Sequence, residues 1–294
     1  MVAVGCTTLK AGDDHEVDAG TGPPPLTGPC DANKPFGPKS ALALPFRRTA
    51  GLRLSPDQRT GYFEAPGPNG DYALYMGSRV SPDAAFDTFV PVPSLNTPAG
   101  SADFDPTLRA DGLWLIYARS SMNWQAFGLR WATRPERSNS FADMGSLSVD
   151  SVDGTNDTTP FLRSDGQVLY FASDRAPGES YDLYRATWNG GAYAPATPIK
   201  ELNSLWIDWE PVISADELTI YFASYRPAAR GGASDIYAAT RGSTAEPFSA
   251  PTFLETLNTA DNEAPTYLTP DGCTLYFFSD HGTEQQMFYA TKVP

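Results

Sequence analysis

Histidine and cysteine are scarce in this chain: 294 residues carry two His and three Cys. No Cys/His cluster has the spacing of a zinc site, and no serine has a His-carboxylate partner suggested by spacing. Positive charge is short as well. Twenty-one Lys and Arg stand against 35 Asp and Glu, a formal net charge of −14, which excludes a nucleic-acid binder that works by phosphate neutralisation. No apolar run approaches the roughly 18 residues of a membrane-spanning helix, and no glycine-rich loop opens a helix to hold a nucleotide. The chain is instead rich in turn residues. Its 25 Gly and 27 Pro argue against long helices and for many short strands, while a 41% apolar and 12% aromatic share supports a buried core.

Five segments repeat: LRLSPDQRTGYF, LRADGLWLIYA, LRSDGQVLYFASDR, ISADELTIYFASYR and LTPDGCTLYFFSD. Their aspartates Asp57, Asp111, Asp165, Asp216 and Asp271 lie 54, 54, 51 and 55 residues apart, the period of a four-stranded propeller blade. Three residues before each stands an aliphatic (Leu54, Leu108, Leu162, Ile213, Leu268), and six after it an aromatic (Phe63, Tyr117, Phe171, Phe222, Phe277). The turn between them suits Asp, which bonds its own backbone, and Gly, which supplies positive φ. Each segment is therefore the hairpin joining the two inner strands of a blade. A third strand follows, as at Leu183–Thr187 and Ile236–Thr240, and then a fourth, expected over Tyr193–Leu202 and Phe248–Leu257. The last unit stops after its third strand, whereas a fourth-strand sequence, Phe36–Leu44, precedes the first hairpin. The fold class is thus all-β: a five-bladed propeller over residues 36–294, closed by the N-terminal strand completing the last blade.

Residues 1–35 are rich in Gly, Pro, Thr and Asp and read as a disordered acidic tether that also holds His15. Within it, Ala3-Val4-Gly5-Cys6 resembles the lipobox of bacterial lipoproteins, which implies lipidation at Cys6; the apolar leader of a working signal is expected upstream of Met1. Cys30 precedes the body and Cys273 lies in its last repeat, regions that closure brings together. They form a disulfide in an oxidising compartment, or Cys273 is a buried free thiol; the sequence leaves both open.

The repeats themselves resemble the TolB-type, WD-like β-propeller repeat of bacterial envelope proteins. The resemblance rests on SDG-x-x-LYFASDR at Ser164–Arg175, DLY at Asp182–Tyr184, DIY at Asp235–Tyr237 and the run Pro247–Phe277. Blade one has no DLY and blade two no SDR. The resemblance implies a periplasmic or outer-membrane-anchored scaffold that contacts other proteins, because a fold alone does not set an activity.

Aligned on the turn aspartate, Asp103, Asp157, Asp208 and Glu263 occupy one offset, eight residues earlier, with Thr49 in the first blade. They are expected where the innermost strand begins, ringing one mouth of the channel, with Asp105 and Glu210 two residues further on. Such a ring would hold a cation such as calcium, or a basic or polyhydroxylated ligand; the alternative is that these acids are fold determinants. The turn aspartates, Asp174, Asp182, Asp235 and Asp280 read as hydrogen-bonding turn and strand residues. Tyr170, Phe171, Tyr221, Phe222, Tyr276 and Phe277 read as packing between blades. Trp206 and Trp209 flank Asp208, a combination suited to stacking a sugar. His281 takes the repeat position of Arg175 and Arg226.

Two functions follow. The first is a non-enzymatic, monomeric envelope propeller without cofactor, reaching the membrane only through its lipid, that binds a protein, a peptide or a cell-wall polymer. The second is a glycoside hydrolase of the five-bladed furanosidase type, with Asp105, Asp157 and Glu210 as its carboxylates and Asp103 and Asp208 as alternatives. Carboxyl separation across an open funnel discriminates between them.

Overall fold

A computed structural model describes residues 30–31, 34–46, 48–68, 70–92, 94–95, 100–121, 126–149, 154–176, 180–227, 234–281 and 284–292. All regular structure among them is β. The first strand, β1 (Ser40–Ala41), stands apart from the blade that follows it. Blade one is β2 (Ala50–Leu54), β3 (Thr60–Pro66), β4 (Tyr72–Ser78) and β5 (Thr88–Pro91). Blade two is β6 (Ala102–Leu108), β7 (Trp114–Ser120), β8 (Phe127–Thr133) and β9 (Ala142–Ser146). Blade three is β10 (Asp157–Leu162), β11 (Val168–Ser173), β12 (Asp182–Thr187) and β13 (Thr197–Pro198); blade four is β14 (Asp208–Ile213), β15 (Thr219–Ser224), β16 (Asp235–Thr240) and β17 (Thr252–Phe253). Blade five holds β18 (Asn262–Leu268), β19 (Thr274–His281) and β20 (Glu284–Thr291), and β1 pairs with β20 as its outer strand. The protein is a five-bladed β-propeller of four-stranded antiparallel blades.

The closing strand is only two residues, Ser40 opposite Tyr289 and Ala41 opposite Phe288. The outer strands β13 and β17 are just as short, although a longer fourth strand is expected from the sequence. Their segments are proline-rich, and a proline offers no N–H to a ladder. Around β1 the contacts are broader. Phe36 bridges to Lys292 and packs edge-on against Tyr221 of blade four at 5.7 Å, Leu42 is buried, and Phe46 lies 4.8 Å from the Tyr75 ring of blade one. The segment therefore joins three blades.

The repeat aromatics form the core. Phe63, Tyr117, Phe171, Phe222 and Phe277 are all fully buried. In four blades each stands opposite an aromatic of the third strand, as Phe63–Tyr75, Phe171–Tyr184, Phe222–Tyr237 and Phe277–Phe288, with centroids about 6 Å apart. In blade two the partner is Arg130. The turn aspartates accept the backbone N–H two residues on, Asp111 from Leu113, Asp165 from Gln167, Asp216 from Leu218 and Asp271 from Cys273.

Cys30 and Cys273 are disulfide-bonded, with Cα atoms 5.9 Å apart across 243 residues of sequence. The described chain thus reaches back to Cys30, while most of the expected tether, with Cys6 and His15, lies outside the described residues. Cross-linking so long a loop restricts the unfolded chain, so Cys30→Ser or reduction is expected to remove about 2–5 kcal/mol. Denaturant melts with and without reductant check this; coincident curves would show that the bond adds nothing.

Candidate functional site

The acids at the start of the innermost strands do not line an open mouth. Asp103, Asp157, Asp208 and Glu263 are each at most 3% exposed. An arginine near the end of the second strand of the same blade meets each of the first three: Arg119 with Asp103 at 2.5 Å, Arg175 with Asp157 at 2.7 Å and Arg226 with Asp208 at 2.7 Å. The same guanidinium donates to a carbonyl of the preceding blade's last segment, Leu95, Val149 and Leu202 respectively. It also lies over a core aromatic, Tyr117, Phe171 or Phe222. Through these arginines the three acids are linked to the neighbouring blade. Arg119 comes two repeat positions early, which is why blade two lacks the SDR signature yet keeps the pair.

In blade five Glu263 accepts from Ser279 at 2.8 Å and from the Thr259 hydroxyl and N–H, and Lys39 approaches it at 3.7 Å while lying over Phe288 at 4.8 Å. The cation that the repeat supplies elsewhere comes here from the N-terminal segment. In blade one, where Thr49 replaces the acid, the half-buried Phe46 covers the aromatic pair instead of a cation.

Asp105 and Glu210 sit at β-bulges, where the register with the second strand shifts between Phe104 and Thr107 and between Trp209 and Val212. Asp105, Thr159 and Glu210 have φ of 48°, 46° and 49°, and each is followed by a proline whose missing N–H falls at the unpaired bulge. Gly51 holds the equivalent place in blade one with φ 62°. A Cβ there would strike Glu64 Oε2, so this glycine admits a carboxyl from β3 into the channel. Glu64 Oε2 accepts the Asp105 N–H at 2.6 Å, and Glu210 is buried beside Asp105 with its Oε2 lacking a hydrogen-bond partner. Arg53 faces all three carboxyls and lies over Phe161 at 5.2 Å. Arg53 is the cation that faces this cluster, and among the described residues no three His, Cys, Asp or Glu side chains are grouped to hold a metal ion.

Burial, partly offset by Arg53, raises Asp105 to about 6, and burial with the Asp105 charge pushes Glu64 and Glu210 well above the usual carboxylate range. Each folded value is above the unfolded one, so the folded state binds more protons between them. Stability from this cluster is present below about pH 4 and is lost as pH rises through about 6 and beyond. Glu210→Gln is expected to flatten the fall of melting temperature between about pH 5 and 8. Parallel slopes in the two proteins would refute the assignment.

The tryptophans do not share a platform. Trp209 packs between blades four and five, 6.3 Å from Phe278, and donates to the Ser234 hydroxyl at 3.2 Å, whereas Trp206 is 50% exposed beside Leu205 at 95%. A cavity of about 990 Å³ opens at the opposite end of the channel, the face of the hairpin turns, and extends into the cleft between blades one and two. The five repeat aliphatics, from Leu54 to Leu268, all contribute to it. None of Asp103, Asp105, Asp157, Asp208, Glu210, Glu263, Trp206 and Trp209 lines it. Among the described residues the lining has five arginines, Arg53, Arg109, Arg134, Arg137 and Arg163, against the single carboxylate Asp57.

Sequence reasoning missed Arg53 and Glu64. Both break the repeat: Thr107, Phe161, Val212 and Tyr267 fill the place of Arg53, and Ala118, Ala172, Ala223 and Phe278 that of Glu64.

No protein-family model and no curated protein matches the sequence. Among solved structures, TolB from Acinetobacter baumannii aligns with a TM-score of 0.51 and 16% identity over 83% of this chain and 54% of its own. An exo-β-1,3-galactanase from Phanerochaete chrysosporium gives 0.54 and 10% over 86% and 64%, and an α-L-arabinofuranosidase catalytic domain from Coprinopsis cinerea 0.53 and 11% over 89% and 98%. The likeness is one of fold. The chain spans about half the length of that TolB chain, and TolB and the glycosidases share the propeller equally.

Proposed function

We propose that this chain is a non-enzymatic propeller of the bacterial cell envelope that binds a protein, a peptide or a cell-wall polymer. The observation that carries the reading is the state of the three acids a hydrolase would need. Asp157 is tied to Arg175, and Asp105 and Glu210 are buried at 5% and 2% exposure. Glycosidic cleavage requires two carboxyls about 5–9.5 Å apart on either side of a sugar, and carboxyls this deeply buried, neither of them lining the cavity, give a sugar no access. The envelope placement is supported by the TolB-like repeats, the lipobox-like Cys6 and a disulfide suited to an oxidising compartment. Leu205 and Trp206, exposed on the loop leading into β14, supply apolar surface for a partner.

Incubation with arabinan, xylan and β-1,3-galactan is expected to release no sugar, while crosslinking in envelope fractions captures a partner whose yield falls with Leu205→Ser and Trp206→Ser. Released sugar that disappears with Glu210→Gln would overturn the reading in favour of hydrolysis.

A further inference from the structure

We propose that the cavity on the hairpin-turn face is a binding site for an oxyanion, a carboxylate or phosphate, carried on an apolar body. The inference goes beyond the envelope reading and does not depend on it. Arg53 is 2% exposed and lines this cavity, yet its Nε and Nη2 have no hydrogen-bond partner, and its Nη1 reaches only the Leu52 carbonyl at 3.3 Å. It forms no ion pair within 4 Å of a carboxylate among the described residues. Buried donors are almost always satisfied, so two orphaned N–H groups on one side chain call for an acceptor. None of the three carboxyls above Arg53 comes within 4 Å of its guanidinium, and Glu210 Oε2 there is buried without a hydrogen bond of its own, so the cavity below is the open side from which an acceptor can arrive.

The surroundings fit that ligand. Tyr62 is the cross-strand partner of Arg53, and its hydroxyl accepts from Arg134 at 3.2 Å, so a continuous surface runs from the channel to the cleft. Arg134 lies over Phe141 at 4.3 Å and Arg137 donates to the Asp111 and Ala110 carbonyls, both arginines without an ion pair within 4 Å among the described residues. By contrast Arg109 and Arg163 are matched, to Asp111 and to Asp165 and Glu217. Three unmatched guanidiniums in a protein of net charge −14 concentrate positive potential in one concavity. A guanidinium fork takes carboxylate and phosphate oxygens two at a time. The aliphatic ring of the mouth would contact the body of the ligand, in a volume that suits a drug-sized molecule.

The test is calorimetric titration of the full chain with citrate and with inorganic phosphate, at ionic strength matched with sodium chloride. Saturable binding of either anion is expected, weakened at least about tenfold by the double substitution Arg134→Gln with Arg137→Gln, since each charged hydrogen bond is worth that order. Arg53→Met is expected to abolish it. Should that variant fail to fold, the rim pair decides alone. Citrate binding without phosphate identifies a carboxylate ligand, and the reverse a phosphate. Heat indistinguishable from the chloride control for both anions, or equal affinity in parent and rim variant, would overturn the proposal.

Discussion

Removal of residues 36–45 is expected to abolish cooperative unfolding. Measured by its pairing alone, β1 is a two-residue strand and looks dispensable. The segment contributes much more than that ladder. Phe36 and Leu42 are buried at 5% and 2% exposure, and burying side chains of this size stabilises by roughly 1.5–3 kcal/mol each. Lys39 is the cation nearest Glu263, whose side chain is completely buried, so its loss strands a charge away from water. The outer edge of β20 would also be unpaired. These losses together are comparable to the whole stability of a domain, typically about 5–15 kcal/mol. The expected result is a broad, non-cooperative melt with raised dye binding. A truncated protein that melts like its parent would show that the propeller closes without this strand.

Arg226→Ala is expected to cost about 3–5 kcal/mol, the usual penalty for leaving one partner of a buried ion pair uncompensated. Asp208 is completely buried, and besides Arg226 it accepts from the Ser204 N–H at 2.7 Å and hydroxyl at 2.8 Å, so it stays in place when the arginine is gone. For a domain of this size the loss corresponds to roughly 6–20 °C in melting temperature. Asp208→Asn should be milder, because Arg226 keeps its bond to the Leu202 carbonyl at 2.6 Å and is 18% exposed. Combining Asp208→Asn with Arg226→Ala should be less harmful than the sum of the two, since the neutral amide no longer requires a cation. Strict additivity would mean that the pair contributes no coupling and that the anchor acts only through packing.

The blade count, the turn chemistry and the closure were legible in the sequence because they are periodic: an aspartate at a fixed interval, an aliphatic before it and an aromatic after it leave little freedom in register. The acids at the strand starts were legible as a set, but not in role. Their partners lie 16 to 18 residues away in Arg119, Arg175 and Arg226, and in blade five the cation is Lys39, from the far end of the chain. The bulges at Asp105 and Glu210 were hidden because positive φ at a non-glycine residue has no sequence marker beyond the proline that follows. The cavity was missed for a different reason: periodic reasoning discards what does not repeat, and the residues that give this channel its individuality, Arg53 and Glu64, occur once.

The Cys30–Cys273 bond also has a mechanical meaning. A protein held at its N-terminus and bound to something bulky experiences tension along the linking chain. Tension arriving from residues before Cys30 enters the body at the Asp271–Cys273 turn through a covalent link, and the short β1 seam, ten residues further on, lies outside that load path. Under reducing conditions the same pull falls first on the Phe36–Lys292 bridge and then on the two backbone pairs of β1, and peels the segment from β20. The oxidised form should therefore tolerate forces under which the reduced form opens its ring from the fifth blade.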